Sequence, residues 1–196
     1  MTNTPTLETG DLILRKFARD DADALFLLLK DRDANTFLPW FPAETKRDSD
    51  AFLENKILPL YQKERAYFYA VCLKSDNAPI GYVKAETEDG FDFGYALRKE
   101  FWNRGITTQA GKALIGQLKK NKIPYITATH DVNNGASGAV MKKLGMIYRY
   151  SYVEQWQPKN FPVTFRMYQL NFDARQDRVY EKYRRLYPNN FVEENV

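Results

Sequence analysis

The apolar-rich run DLILRKF (11–17) predicts a first strand. A helical period follows. ARDDADALFLLLKD (18–31) predicts a helix, with Asp20 placed to cap it, acids in its first turn and a leucine-rich face behind them. TFLPWFPAET is an aromatic loop broken by proline, and DSDAFLENKILPLYQKE (48–64) is helical again, capped near Asp48 or Ser49 and kinked or split at Pro59. Strand composition follows at 66–74, 80–87 and 91–98, separated by the turns SDNAP and EDG, which predicts an antiparallel meander. A helix pattern over 105–121 repeats Ala110, Ala113, Leu114 and Leu118 at three- and four-residue spacing. A strand at 123–130, a short helix at 133–145 ending on Gly145, and strands at 146–156 and 163–172 complete the core. DARQDRVYEKYRRLYPNN then reads as a terminal helix.

This order predicts an α+β fold with a mixed central sheet flanked by helices. The helix at 105–121 should act as a crossover that makes strands 91–98 and 123–130 a parallel pair. The expected organisation is one domain, 1–196, with a core over about 8–172 and a helical tail over 173–196.

Composition adds limits. Apolar residues are 44% and charged residues 28% of 196, the balance of a soluble globular chain. No apolar run approaches the ~20 residues of a membrane span, and MTNTPTLETG has neither the basic start nor the apolar stretch of a secretory leader. The single cysteine, Cys72, sits in an apolar run and reads as a buried small residue; with no disulfide to form, a cytoplasmic location is expected. Net charge is +4, which favours an anionic ligand without calling for nucleic acid. His130 is the only histidine and reads as a polar packing residue, and no Cys/His cluster suggests a metal.

EFWNRGITTQAG (100–111) carries the chemistry. It joins a strand to a helix, and a helix N-terminus offers free backbone N–H groups and a partial positive charge to an anion. Gly105 permits close approach, Arg104 offers a charge-assisted bond, and Thr107 and Thr108 add hydroxyls.

With its neighbours this segment resembles the acetyl-CoA-binding core of the GNAT (Gcn5-related) N-acetyltransferases, most closely the branch of Rim-type ribosomal-protein acetyltransferases. Three stretches carry the resemblance in order: LPWFP, FGYALRKEFWNRGITTQA, and NNGASGAVMKKLGM. Together they span about 8–172. Asn103 stands where that branch often has glycine, and Thr107 where it has glycine or alanine.

The resemblance implies a set of roles. Residues 103–108 (Asn103, Arg104, Gly105, Ile106, Thr107, Thr108) would seat the phosphates of acetyl-CoA. The backbone at Ala96 and Leu97 would pair with the pantetheine arm, which Asn134 would also contact, and the Leu97 N–H would face the oxyanion. The tyrosine many members place on the late helix falls on Met141, so Ser137 is the expected partner of the departing thiolate. Glu86 and Glu154 are candidate bases for the amine. Phe37, Trp40 and Phe41 would wall the acceptor pocket, whose ligand is a small-molecule amine or a protein N-terminus. Two alternatives stand beside this reading: an acyl-CoA-binding domain without catalysis, and a nucleic-acid module using the basic, aromatic tail.

Overall fold

A computed structural model describes residues 3–196. Five antiparallel strands form one sheet in chain order: β1 (Leu7–Glu8), β2 (Leu12–Arg15), β3 (Tyr67–Leu73), β4 (Pro79–Ala85) and β5 (Phe93–Leu97). A second sheet holds β6 (Tyr125–Asp131), β7 (Ile147–Trp156), β8 (Phe161–Asn171) and β9 (Asn190–Phe191), in the order β6-β8-β7-β9 and antiparallel throughout. The helices are α1 (Ala22–Leu29), α2 (Lys46–Phe52), α3 (Ile106–Lys120), α4 (Gly135–Lys143) and α5 (Lys182–Leu186).

The helix starts have local causes. Asp21, rather than Asp20, closes the entry to α1: its carboxylate accepts from the Ala18 N–H at 2.8 Å and takes two bonds from the Arg15 guanidinium, at 2.7 and 2.8 Å. Thr45 caps α2, exchanging bonds with Asp48 at its third position. The helix expected over 48–64 is split, continuing as a wider turn over Leu53–Ile57 and a tighter one over Leu58–Gln62, where Pro59 has no N–H to give.

The α+β class holds, but the single mixed sheet does not. Strands β5 and β6 do return side by side through α3, yet they share one parallel bridge, Asp92 with Thr127. There the Thr127 N–H and hydroxyl both bond the Gly90 carbonyl, at 3.1 and 2.8 Å. Gly90 (φ 97°) and Phe91 (φ 46°) take left-handed backbone just before the bridge, and this turn redirects the chain. Past it, β5 pairs only with β4 and β6 only with β8, which leaves a cleft between unpaired strand edges.

Three cores pack against the two sheets. Leu114, Leu118 and Met141 of α3 and α4 pack on Leu14, Tyr69, Val83 and Phe93. Leu25, Leu28, Leu53 and Ile57 pack on the opposite face of the first sheet, against Phe68, Cys72, Tyr82 and Ala96. Each fully buried leucine contributes about 1.5–3 kcal/mol. Cys72 is fully buried, and burial pushes its thiol up to about 11, which makes it an inert packing residue. The third core joins Tyr150, Tyr152, Trp156, Phe165 and Met167 to Tyr180 of the tail.

The tail departs from expectation, since within 173–190 only Lys182–Leu186 is α-helical. Two buried amides on β8 hold it extended. Gln169 donates to the Arg178 carbonyl at 2.9 Å and accepts from the Tyr180 N–H at 2.8 Å, and Asn171 donates to the same carbonyl at 3.0 Å. These long-range bonds outcompete the local helix. Among the described residues, no helix is long and apolar enough to cross a membrane.

Candidate active site

The cleft edge is defined by bond alternation along β5. Arg98 donates its N–H to Ile80 of β4 at 2.9 Å, so Leu97 and Tyr95, one and three residues back, turn their backbone groups to the open side. The Leu97 carbonyl there accepts from the Trp102 indole N–H at 2.7 Å, while its own N–H is left for a ligand. Ala96 instead turns its carbonyl toward β4: a Cβ on Gly81 would lie 2.3 Å from it. Of the two residues assigned to the pantetheine arm, Leu97 therefore offers its backbone to the cleft.

Residues 103–108 follow closely on the same strand end. Lys99–Phe101 form one tight turn, Asn103 (φ 58°) and Gly105 (φ 75°) take left-handed backbone, and α3 begins at Ile106. Asparagine is the residue other than glycine that best tolerates that conformation, which accounts for Asn103 at a position resembling a glycine site. The first bond of α3 runs from Gln109 N–H to Gly105 carbonyl at 3.0 Å, so the N–H groups of Ile106, Thr107 and Thr108 precede it and stay free. A Cβ on Gly105 would meet nothing within 4 Å, so space lies open above it. Ile106 is buried and anchors the turn, while Asn103 and Arg104 are exposed. The Arg104 guanidinium lies 5.5 Å over the Phe101 ring and makes no ion pair among the described residues. Free N–H groups, open space and an unneutralised cation fit a phosphate ligand.

Helix α4 closes the cleft beyond β6. The Asn134 side chain caps it, accepting from the Ser137 N–H at 3.1 Å. Ser137 Oγ lies 2.8 Å from the Tyr95 hydroxyl, which also donates to the Ser137 carbonyl at 2.9 Å. Tyr95 thus spans from β5 to the first turn of α4. Strand alternation, which sets Tyr95 on the face of Phe93 and Leu97, was the available signal for it. Met141 is buried in the core. His130 is also buried beneath α4 rather than facing the cleft: its Nδ1 lies 2.8 Å from the Asp131 carbonyl, and burial lowers its pKa. Among the described residues, no group of three or more His, Cys, Asp or Glu is placed to hold a metal.

The carboxylates lie near the bridge between the sheets and on β7. Glu86 is exposed just past β4 and forms an ion pair with Lys84. Glu154 is half-buried on β7; burial raises its pKa, against a hydrogen bond from Tyr187 that lowers it. Asp92, missed in the sequence, stands at the bridge where the sheets part, on the face of Tyr82 and Ala96. It keeps part of its surface exposed, yet burial pushes its carboxyl up to about 6, with Lys84 pulling it down and Glu86 adding to the rise. Tyr152 and Tyr183 feel both Asp92 and Glu154, so the two carboxylates share one neighbourhood.

The aromatic loop is divided. Trp40 is pinned, donating to the buried Asn35 side chain at 2.8 Å and packing on Phe52 at 5.2 Å. Phe37 is half-buried, and Phe41 is 63% exposed at a groove shared with Leu29, Pro42 and Phe52.

A family model described as an acetyltransferase (GNAT) domain matches residues 11–147, from β2 through α4. Solved structures agree on the fold. The GNAT-family acetyltransferase from Bacillus anthracis superposes with a TM-score of 0.75 at 21% identity, over 85% of this chain and 98% of that one. RimL, the ribosomal L7/L12 alpha-N-protein acetyltransferase in complex with coenzyme A, gives 0.74 at 21%, over 87% and 99%. The acetyl transferase from Salmonella typhimurium described as modifying the N-terminal serine of ribosomal protein L7/L12 gives 0.75 at 19%, over 86% and 100%. A family match over more than half of the chain, on a fold with an open strand edge beside a helix N-terminus, places this chain in the GNAT acetyltransferase family, as an acyltransferase enzyme.

Proposed function

We propose that the protein moves an acetyl group from acetyl-CoA to a primary amine by direct transfer. One observation carries the reading: the Leu97 N–H on the open edge of β5 and the free N–H groups that open α3 are joined by one short loop. Bound there, acetyl-CoA supplies an acyl carbon activated as a thioester. Residues 103–108 hold its phosphates mainly through backbone donors, and Asn134 contacts the arm. The Leu97 N–H bonds the thioester carbonyl oxygen and stabilises charge developing on it. Ser137 offers a hydrogen bond to the sulfur as it leaves; the core burial of Met141 leaves Ser137 as the polar group of that helix face.

The acceptor enters from the carboxylate side. The amine, with an ordinary pKa of about 8 at a chain terminus and about 10.4 on lysine, must shed a proton, and Asp92 and Glu154, both raised by burial, are poised to take it directly or through water. Glu86 is already satisfied by Lys84. Phe37, Trp40 and Phe41 border the approach. The RimL-type neighbours support a protein or peptide N-terminus as acceptor, with a small-molecule amine as the other class. The test is release of CoA thiol from acetyl-CoA across a panel of peptides and small amines. Turnover with at least one acceptor is expected; tight CoA binding with no turnover on a broad panel overturns the proposal.

A further inference from the structure

We infer that Tyr95 is a positioning residue for the leaving thiolate, acting through Ser137. The inference rests on the proposed placement of Ser137 beside the sulfur.

The geometry limits what Ser137 can do alone. A serine hydroxyl carries one proton and rotates freely unless something holds it. The Tyr95 oxygen lies 2.8 Å from Ser137 Oγ and 2.9 Å from the Ser137 carbonyl. Two hydrogen arrangements satisfy these contacts. In one, Tyr95 donates to the carbonyl and Ser137 donates back to Tyr95, so the serine proton points away from the cleft. In the other, Tyr95 donates to Ser137 Oγ, and the serine proton is released toward whatever lies in the cleft. A sulfur gaining negative charge favours the second. The tyrosine donation also polarises the serine hydroxyl, so each bond strengthens the next.

Burial raises the Tyr95 pKa, so the phenol stays protonated and does not surrender its proton. The balance follows. The nitrogen–carbon bond forms, the carbon–sulfur bond breaks, the electron pair leaves with sulfur, and the Ser137 hydrogen bond stabilises it until solvent supplies a proton. Both hydroxyls return unchanged. Tyr95 reaches this position because alternation along β5 sends it to the α4 face. The ring also leaves a phenylalanine substitute able to fill the same space.

The test needs no acceptor. The thiol of CoA bound to the purified protein is titrated by thiolate ultraviolet absorbance over pH 6–9.5, with desulfo-CoA as the blank. Ser137→Ala and Tyr95→Phe should each raise the bound thiol pKa by about half to one pH unit, the worth of one hydrogen bond. The double variant should go no further than Ser137→Ala alone, and CoA affinity by calorimetry should stay within about twofold. If Ser137→Ala shifts the titration and Tyr95→Phe does not, Tyr95 is only a tie between β5 and α4, and the inference fails while the role of Ser137 stands. If neither shifts it, both fail. A Tyr95→Phe effect on CoA affinity with an unmoved thiol also overturns the inference.

Discussion

Lys159, in the turn between β7 and β8, donates its ammonium to the backbone carbonyls of Asn35 and Thr36, at 2.9 and 2.7 Å. It also lies 4.9 Å over the Trp156 ring, and burial lowers its pKa. Two segments more than 120 residues apart are thereby clasped, with the proposed acceptor side between them. Lys159→Met keeps the stem and removes the donors. The Michaelis constant for the amine should rise roughly five- to tenfold, with acetyl-CoA affinity unchanged. Steady-state kinetics against both substrates checks this, and equal losses on both sides would reject a clasp confined to the acceptor.

Asp92 sets stability against chemistry. Its folded pKa of about 6 lies above the ordinary carboxylate value of 3.8, so the folded protein binds the extra proton between those values. Stability therefore falls as pH rises from about 4 to 6, and above 6 the charged, buried carboxylate is a standing cost. Asp92→Asn should stabilise the protein by about 1–2 kcal/mol at pH 7.5 and by nothing at pH 3.5, measured by urea unfolding. The same variant should lower turnover at least tenfold and remove an acidic limb near pH 6 from the rate profile. Full activity with that limb intact would leave Glu154 as the only base.

Gly105 separates backbone strain from ligand contact. Gly105→Ala should cost about 1 kcal/mol of stability from the left-handed backbone alone, since the new Cβ meets no protein atom within 4 Å. If phosphate occupies the open space, CoA affinity should fall further, by at least tenfold. Desphospho fragments such as pantetheine should be indifferent to the change. Calorimetry with both ligands decides it.

Gly138 answers for the burial of His130. A Cβ there would lie 2.7 and 2.9 Å from His130 Nε2 and Cε1, closer than packed atoms come. Gly138→Ala should cost about 1–3 kcal/mol, despite the better helix propensity of alanine. Combined with His130→Ala, the loss should be smaller than the sum of the two single losses. Additive losses by chemical denaturation would place the strain elsewhere.

The strand-to-helix loop, the helix after it and the meander of β3, β4 and β5 were legible because each depends on local pattern: glycine at a turn, four-residue spacing, strand composition between turns. What was not legible came from partners far away in the chain. The division into two sheets turns on the left-handed pair Gly90 and Phe91, and phenylalanine gives no warning of a positive φ. The tail has helical composition, but Gln169 and Asn171 hold its backbone open from β8, and nothing in the tail announces them. Asp92 was hidden between two phenylalanines in FDFGYAL. Alternation alone would have set it on the face of Gly94 and Ala96, away from the aromatic core, but not beside Tyr152 and Tyr183. Asn35, which holds Trp40 and has its carbonyl held by Lys159, looked like an ordinary loop polar residue.

The Trp102 indole on the Leu97 carbonyl sets a register mark. An extended ligand lying along β5 finds, at this residue, a donor to use and an acceptor already spoken for. It cannot slide two residues along and find the same pattern again. The distance from the start of α3 to that marked donor is then fixed by the chain itself, and the loop works as a ruler. A carrier arm too short or too long by one peptide unit would present its reactive carbon to the wrong backbone group. Discrimination among carriers can therefore reside in length, set by one tryptophan, without any side chain touching the group being carried.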